Sequence, residues 1–274
     1  MPLWLPNAGA PSPHAAGLIG PSDPPPAELV NTEGSAPLLL VCDHASRAIP
    51  AALGNLGLDA AALARHIAWD IGAAELTRRL AARLDAPAVL AGYSRLVIDV
   101  NRQPGDPQSI VAVSDGTVIP ANADLDVAEQ EARAEAFLWP YHHAVDQAFA
   151  RLRRTGPEPL FFSIHTFTPS LGGQDRIWDL GVLWNRDPRF AVPLIALLEE
   201  EDSLRVGDNE PYSGREIAYT LNLHAAAAGL AHCAIEVRQD HCETGAGLAR
   251  MADVLGCALE RILQMPNLHR IEQF

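Results

Sequence analysis

The chain has 274 residues, 48% of them hydrophobic, and a formal net charge of −14. That length suffices to bury a large core, as one big domain or two small ones. The acidity argues against a nucleic-acid binder, which needs a basic face, and all 20 basic residues are arginine, which excludes chemistry built on a Schiff-base or P-loop lysine.

Residues 1–35 are rich in Pro, Gly, Ala and Ser and lack periodicity, so they read as a leader laid over the surface, with one α/β domain over 36–274. Ala36 to Cys42 (APLLLVC) predicts a buried strand. Asp59 to Leu84 predicts a long helix, with Leu63, Ile67, Ile71, Leu76 and Leu80 near helical spacing and Asp59 as N-cap. Short strands follow at Ala88 to Leu90 and Leu96 to Val100. Asn101 to Asn122 is a Pro/Gly/Asp-rich loop, long enough to suggest a functional segment. Asp126 to Arg154 predicts a second long helix. Leu160 to Ile164 and Leu180 to Trp184 predict strands, Pro188 to Glu201 and Ile217 to Leu230 helices. Ala234 to Val237 predicts the last strand and Gly245 to Leu263 the last helix.

Alternation of this kind implies a three-layer α/β fold of the phosphorylase/hydrolase type, a mostly parallel or mixed sheet with helices on both faces. Cys42, Cys233, Cys242 and Cys257 show no CxxC spacing, so no disulfide framework is expected and a cytoplasmic setting is the default. No apolar run reaches the ~20 residues of a membrane span, and the N-terminus does not read as a signal peptide.

Ligands of such sheets sit beyond the carboxyl ends of the strands, where three predicted strands end on ionisable groups: Asp43-His44, His165 and Glu236. Two imidazoles and a carboxylate, with Asp70 of HIAWD supplied from the first helix, compose an open metal site whose donors suit zinc. The plainer alternatives are hydrogen-bonded structural histidines, a surface Asp70, and a Glu236 paired with Arg238. In YSRLVIDVNR, Asn101 and Arg102 make a plausible clamp for a carboxylate, whether or not Arg95 and Asp99 pair with each other. His224 is a further candidate for the pocket.

Six stretches, CDHASRAIP, HIAWDIGA, YSRLVIDVNRQP, PYHHAVD, SIHTFTP and HCAIEVRQD, together resemble the N-formylglutamate amidohydrolase family. The resemblance implies a zinc-carboxypeptidase-like fold and metal-dependent hydrolysis of an amide bond in a small acidic acyl-amino acid. It implies His44 and His165 as metal ligands with Asp70 as the third, although at Asp70 the family pattern resembles a histidine. It implies Glu236 as general base and Asn101 and Arg102 on the substrate carboxylate; for such a reaction Arg95 or Arg238 is expected to steady the oxyanion. Arg47 stands where the wider group has the Glu of HxxE, and Asp-His-Ala-Ser replaces Pro-His-Ser-Gly. The branch is therefore divergent. A deacylase or peptidase of other specificity, or a binding protein without metal, are the alternatives.

Overall fold

The computed structural model describes Ser12 and His14–Phe274, except the side chain of Thr155. The first part of the expected leader lies outside the described residues. Ala27–Val30 (β1) and Leu38–Cys42 (β2) come first, then Ala60–Leu63 (α1), Ala73–Leu84 (α2) and Ala88–Ala91 (β3). A hairpin of Val113–Ser114 (β4) and Thr117–Val118 (β5) precedes Val127–Arg133 (α3) and Trp139–Thr155 (α4), joined through the π-helical stretch Ala134–Leu138. Leu160–Phe167 (β6) leads to a second hairpin, Ser170–Leu171 (β7) with Gln174–Asp175 (β8). Leu180–Leu183 (β9), Pro188–Leu198 (α5), Val206–Asp208 (β10), Tyr219–Leu221 (α6), His232–Arg238 (β11) and Gly245–Leu263 (α7) complete the chain.

Among the described residues the main sheet has seven strands in the order β1-β3-β2-β6-β11-β9-β10. β3, β2, β6 and β11 are parallel; β1 and β9 join antiparallel to β3 and β11, and β10 runs parallel to β9. β2 shows why its run is apolar throughout: Leu38, Leu40 and Cys42 enter one core with α2, α5 and α7, while Leu39 and Val41 enter another with α4 and Leu96–Val100. A strand covered on both faces needs no alternation. This is the mixed three-layer fold expected.

Four local expectations change. The helix over 59–84 is broken. Asp59 caps only α1, accepting from Ala62 N at 2.7 Å, and α2 restarts after Gly72 at φ 87°. Between them Asp70 N–H donates to His44 O at 3.0 Å, so this backbone serves the site and leaves the helical ladder. Leu96–Val100 is buried but turned. Its carbonyls are met by side chains, Asn122 Nδ2 on Leu96 O at 2.8 Å and Arg133 Nη1 on Val97 O at 3.0 Å, which removes the need for a strand partner. The helix over 217–230 shrinks to α6 and the π-helical stretch Asn222–Ala226. Finally, Ala27–Val30, inside the stretch read as a leader, is an edge strand, as is Val206–Asp208 at the opposite edge.

Candidate active site

Three parallel strands bring the site together. Register pairs Glu236 of β11 with His165 of β6, and Val41 of β2 with Ser163 of β6. Both His165 and Glu236 lie inside their strands near the carboxyl ends, His165 one residue beyond where its predicted strand stops and Glu236 within the predicted one. His44 follows two residues after β2. Asp70 reaches the same point because its N–H is held by the carbonyl of His44 and the chain turns away at Gly72, where a Cβ would lie 2.5 Å from the Cβ of Cys242.

Ligating atoms of His44, Asp70 and His165 all lie within 4.8 Å of one another, and all three residues are buried. Asp70 Oδ2 stands 2.9 Å from His165 Nδ1 and 3.3 Å from His44 Nδ1. The far nitrogen of each imidazole is engaged from behind. His44 Nε2 donates to Asp99 Oδ1 at 2.7 Å. His165 Nε2 lies 3.2 Å from Asp43 Oδ2 and 3.0 Å from Ser163 Oγ. Asp43 is fixed in turn, its Oδ1 accepting from Tyr141 Oη at 2.7 Å and Thr220 Oγ1 at 2.8 Å. With protons held on Nε2, the Nδ1 lone pairs are directed at one point, the arrangement that carboxylates behind histidines produce in metal centres.

The electrostatics agree. Burial and Arg95 oppose charge on His44, but Asp99 and Asp70 outweigh them and its pKa rises. Burial likewise opposes charge on His165, and Asp43 and Asp70 push it well above the ordinary value. Asp70 falls well below the carboxylate range because His44 and His165 overcome the cost of its burial; Asp43, similarly placed, falls to about 2. Glu236 behaves oppositely. Burial, with Asp70 adding, raises it to about 7 against His165, His44 and Arg95. Its Oε2 is buried without a hydrogen-bond partner, a cost that folding rarely leaves uncompensated.

These four residues line a cavity of about 270 Å³ together with Arg95, Asn101 and Arg102. Arg95 Nη2 is paired with Asp99 Oδ2 at 2.6 Å and lies 3.8 Å from Asp70, so the Arg95/Asp99 bridge coexists with a cavity-facing Asn101 and Arg102. Asn101 Oδ1 accepts from Thr220 N at 3.0 Å, which leaves its two amide N–H groups for a ligand. Arg102 forms no ion pair among the described residues.

Two candidates are placed elsewhere. Arg238 is two residues past Glu236, but its guanidinium is taken by Asp179 at 2.8 Å, Asp240 at 2.8 Å and the Trp178 carbonyl. His224 turns toward α4, with Nδ1 2.7 Å from Asp146 and Nε2 2.9 Å from His142 Nδ1. Neither lines the cavity. The supporting acids Asp43 and Asp99 were not foreseen in this role. Their signal is their place in the chain, one adjoining His44 and the other inside the apolar run before Asn101.

Fold and site together define a hydrolase that acts on amide bonds, built on a mixed α/β sheet. The model of the N-formylglutamate amidohydrolase family matches residues 36–242, and the chain belongs to that family. It is similar to a gene product of Agrobacterium tumefaciens known from its crystal structure, with 36% identity over 89% of this chain and 99% of that one and a TM-score of 0.85. It is also similar in fold to the N-formylglutamate amidohydrolase of Ralstonia eutropha JMP134, with 19% identity, 87% and 97% of the two chains covered and a TM-score of 0.68. No curated protein matches the sequence.

Proposed function

We propose that the chain hydrolyses the amide bond of an N-formyl, or other N-acyl, acidic amino acid in a reaction that needs one divalent metal, with N-formylglutamate the first candidate substrate. One observation carries this reading: two imidazole Nδ1 atoms and a carboxylate converge next to a buried carboxylate oxygen with no partner. The donor set fits the metal. Ligands at zinc distances would be separated by about 3.3 Å, from Zn–N and Zn–O bonds of roughly 2.0–2.1 Å; the Asp70–His44 separation of 3.3 Å equals that value and the Asp70–His165 separation of 2.9 Å is somewhat shorter. Nitrogen and carboxylate donors favour zinc over calcium or magnesium.

Bound at His44, Asp70 and His165, the ion supplies Lewis acidity to the scissile carbonyl and eases ionisation of the attacking water. Glu236 accepts the water proton at its free Oε2 and delivers it to the leaving amine nitrogen, which becomes the amino group of the released amino acid. Its pKa of about 7 suits a group that must both take and give a proton near neutrality. Asn101 N–H groups and the Arg102 guanidinium hold the substrate carboxylate and so set the amide against Glu236. Arg95, clamped by Asp99, brings positive charge to the side of Asp70, where negative charge on the carbonyl oxygen is stabilised.

The test is turnover of formyl, acetyl and carbamoyl derivatives of Glu, Asp and Gln, with the zinc-loaded protein and with the chelated protein. Formate release from N-formylglutamate that chelation abolishes and zinc restores is expected. Turnover that survives complete metal removal, or no turnover of any member with metal bound, would refute the reading.

A further inference from the structure

We propose that His142 is a positioning residue for the substrate clamp: backed by His224 and Asp146, its imidazole fixes the peptide from which Asn101 reaches the cavity. This rests on the proposed function for Asn101 as a contact of the substrate carboxylate. The stretch PYHHAVD supplies the groups from α4. Its Tyr141 is taken by Asp43. His142 Nε2 lies 2.9 Å from Val100 O; a carbonyl only accepts, so Nε2 donates and Nδ1 is left as an acceptor. His224 Nε2 meets that Nδ1 at 2.9 Å. Behind it, His224 Nδ1 stands 2.7 Å from Asp146 Oδ1, one turn beyond His142 on α4. Both imidazoles are buried. Polar rings are costly to bury unless their nitrogens are bonded, and here all four nitrogens are.

What the row of rings achieves is visible at its inner end. The peptide unit Val100–Asn101 is held at both of its polar groups, its C=O by His142 and its N–H by Asp99 Oδ1 at 2.9 Å. A peptide is planar, so these two bonds set its rotation about the chain, and with it the direction in which Asn101 sends its side chain. Thr220 N–H then fixes the amide by donating to Asn101 Oδ1 at 3.0 Å. Thr220 and His224 belong to α6 and the π-helical stretch that continues it. That segment therefore meets the Val100–Asn101 turn twice, once directly and once through His142. Such anchoring is needed because the turn lies outside every strand and helix; its own closure is Arg102 N–H on Asp99 O at 3.1 Å. Burial and His224 push His142 down to about 4, so the ring stays neutral and its one proton stays on Nε2. Packing holds both rings in place, His224 stacked on Phe161 of β6 and His142 edge-on to Tyr219.

The experiment compares wild type, His142→Leu and His142→Gln, the last keeping an N–H that can take the place of Nε2–H. Folding is checked by circular dichroism; if His142→Leu does not fold, His142→Asn, too short to reach Val100 O, takes its place. Calorimetric binding of glutarate to the zinc-loaded protein reads the clamp without turnover. His142→Leu is expected to weaken glutarate about 10-fold, the worth of one hydrogen bond, with zinc content unchanged, and His142→Gln to stay close to wild type. KM for N-formylglutamate should rise by the same factor with kcat little changed. In an Asn101→Ala background the His142→Leu change should add little, because its effect passes through Asn101. Wild-type affinity in His142→Leu, equal losses in the Leu and Gln variants, or a full further loss on top of Asn101→Ala overturns the proposal. So does a wild type that binds no glutarate, which removes the clamp as well. A glutarate affinity that depends on His142 through Asn101, in a protein that cleaves no acyl-amino acid, upholds the positioning role and refutes the reaction instead.

Discussion

Asp99 offers the sharpest test of the proposed metal site, because it touches neither metal nor substrate. Its Oδ1 accepts from His44 Nε2 at 2.7 Å and from Asn101 N at 2.9 Å, and its Oδ2 accepts from Arg95 Nη2 at 2.6 Å. In Asp99→Asn the shape is kept and the charge is lost. If the new amide nitrogen faces His44, the imidazole must move its proton to Nδ1, and the lone pair that would bind metal disappears. If the amide oxygen faces His44, the N–H groups meet the guanidinium of Arg95. Removing such a partner lowers metal affinity about 10- to 100-fold, roughly 1.4–2.8 kcal/mol. Breaking a fully buried ion pair costs about 3–5 kcal/mol; Arg95 is 28% exposed and keeps Asp70 at 3.8 Å, so a fold destabilisation nearer ~2 kcal/mol is expected. Competition against a chromophoric chelator measures the first effect and urea unfolding of the metal-free protein the second. A folded Asp99→Asn protein with wild-type zinc affinity would show that Asp99 does not set the tautomer of His44, and the case for His44 as a ligand would weaken with it.

Other consequences are read in the same assays. Glu236→Gln should lower turnover by at least ~100-fold with zinc content unchanged, whereas His165→Ala should lose the zinc; full activity of the first variant would remove Glu236 as base. His142, whose Nε2 donates to Val100 O at 2.9 Å, is pushed down to about 4 from 6.5 by burial and by His224. The unfolded chain therefore binds a proton that the folded one refuses between those values, and stability present above pH 6.5 is lost as pH falls toward 4. At 1.36 kcal/mol per unit this is about 3 kcal/mol, and His142→Gln should remove that share of the slope in urea midpoints taken at pH 7.5 and 4.5. Gly72→Ala should destabilise by roughly 2 kcal/mol or more, combining a left-handed φ with a forced contact, since φ is 87° and the added Cβ would stand 2.5 Å from Cys242; an unchanged thermal midpoint would contradict this.

The strands of the parallel core could be read directly because they are covered on both faces. LLLVC and LFFSIH are apolar runs too short for helices, and each delivers its polar residue to the same edge. Period fails where side chains replace the backbone ladder. Leu96–Val100 has the composition of a strand, but Asn122 and Arg133, both distant in sequence, bond its carbonyls, and no local pattern announces that. Helical spacing across 59–84 hides a break because Ile67 and Ala68 are buried in turns as well as they would be in a helix. The site followed the same logic. His44, His165 and Glu236 were legible as strand-end groups. Arg238 misled because alternation gives it the face of Glu236, while the strand ends there and Asp179 and Asp240 draw its side chain away. His224 misled because its helix winds only briefly and faces Asp146.

Charge balance ties the parts of the site together. Four carboxylates, Asp43, Asp70, Asp99 and Glu236, are buried around two cavity guanidiniums, Arg95 and Arg102. Buried charge must be compensated where it stands. Without a metal, protons do this: both histidines are pushed toward their charged forms and Glu236 is pushed toward its neutral one. In the proposed function a divalent ion held by His44, Asp70 and His165 would supply the same two positive charges from one point in place of the imidazole protons, since only the neutral ring can ligate. The raised histidines and the raised glutamate are thus two sides of one excess of negative charge. In the proposed reaction a cation would offset that excess, and the same burial that withholds a partner from Glu236 Oε2 would leave that oxygen free for a proton from water.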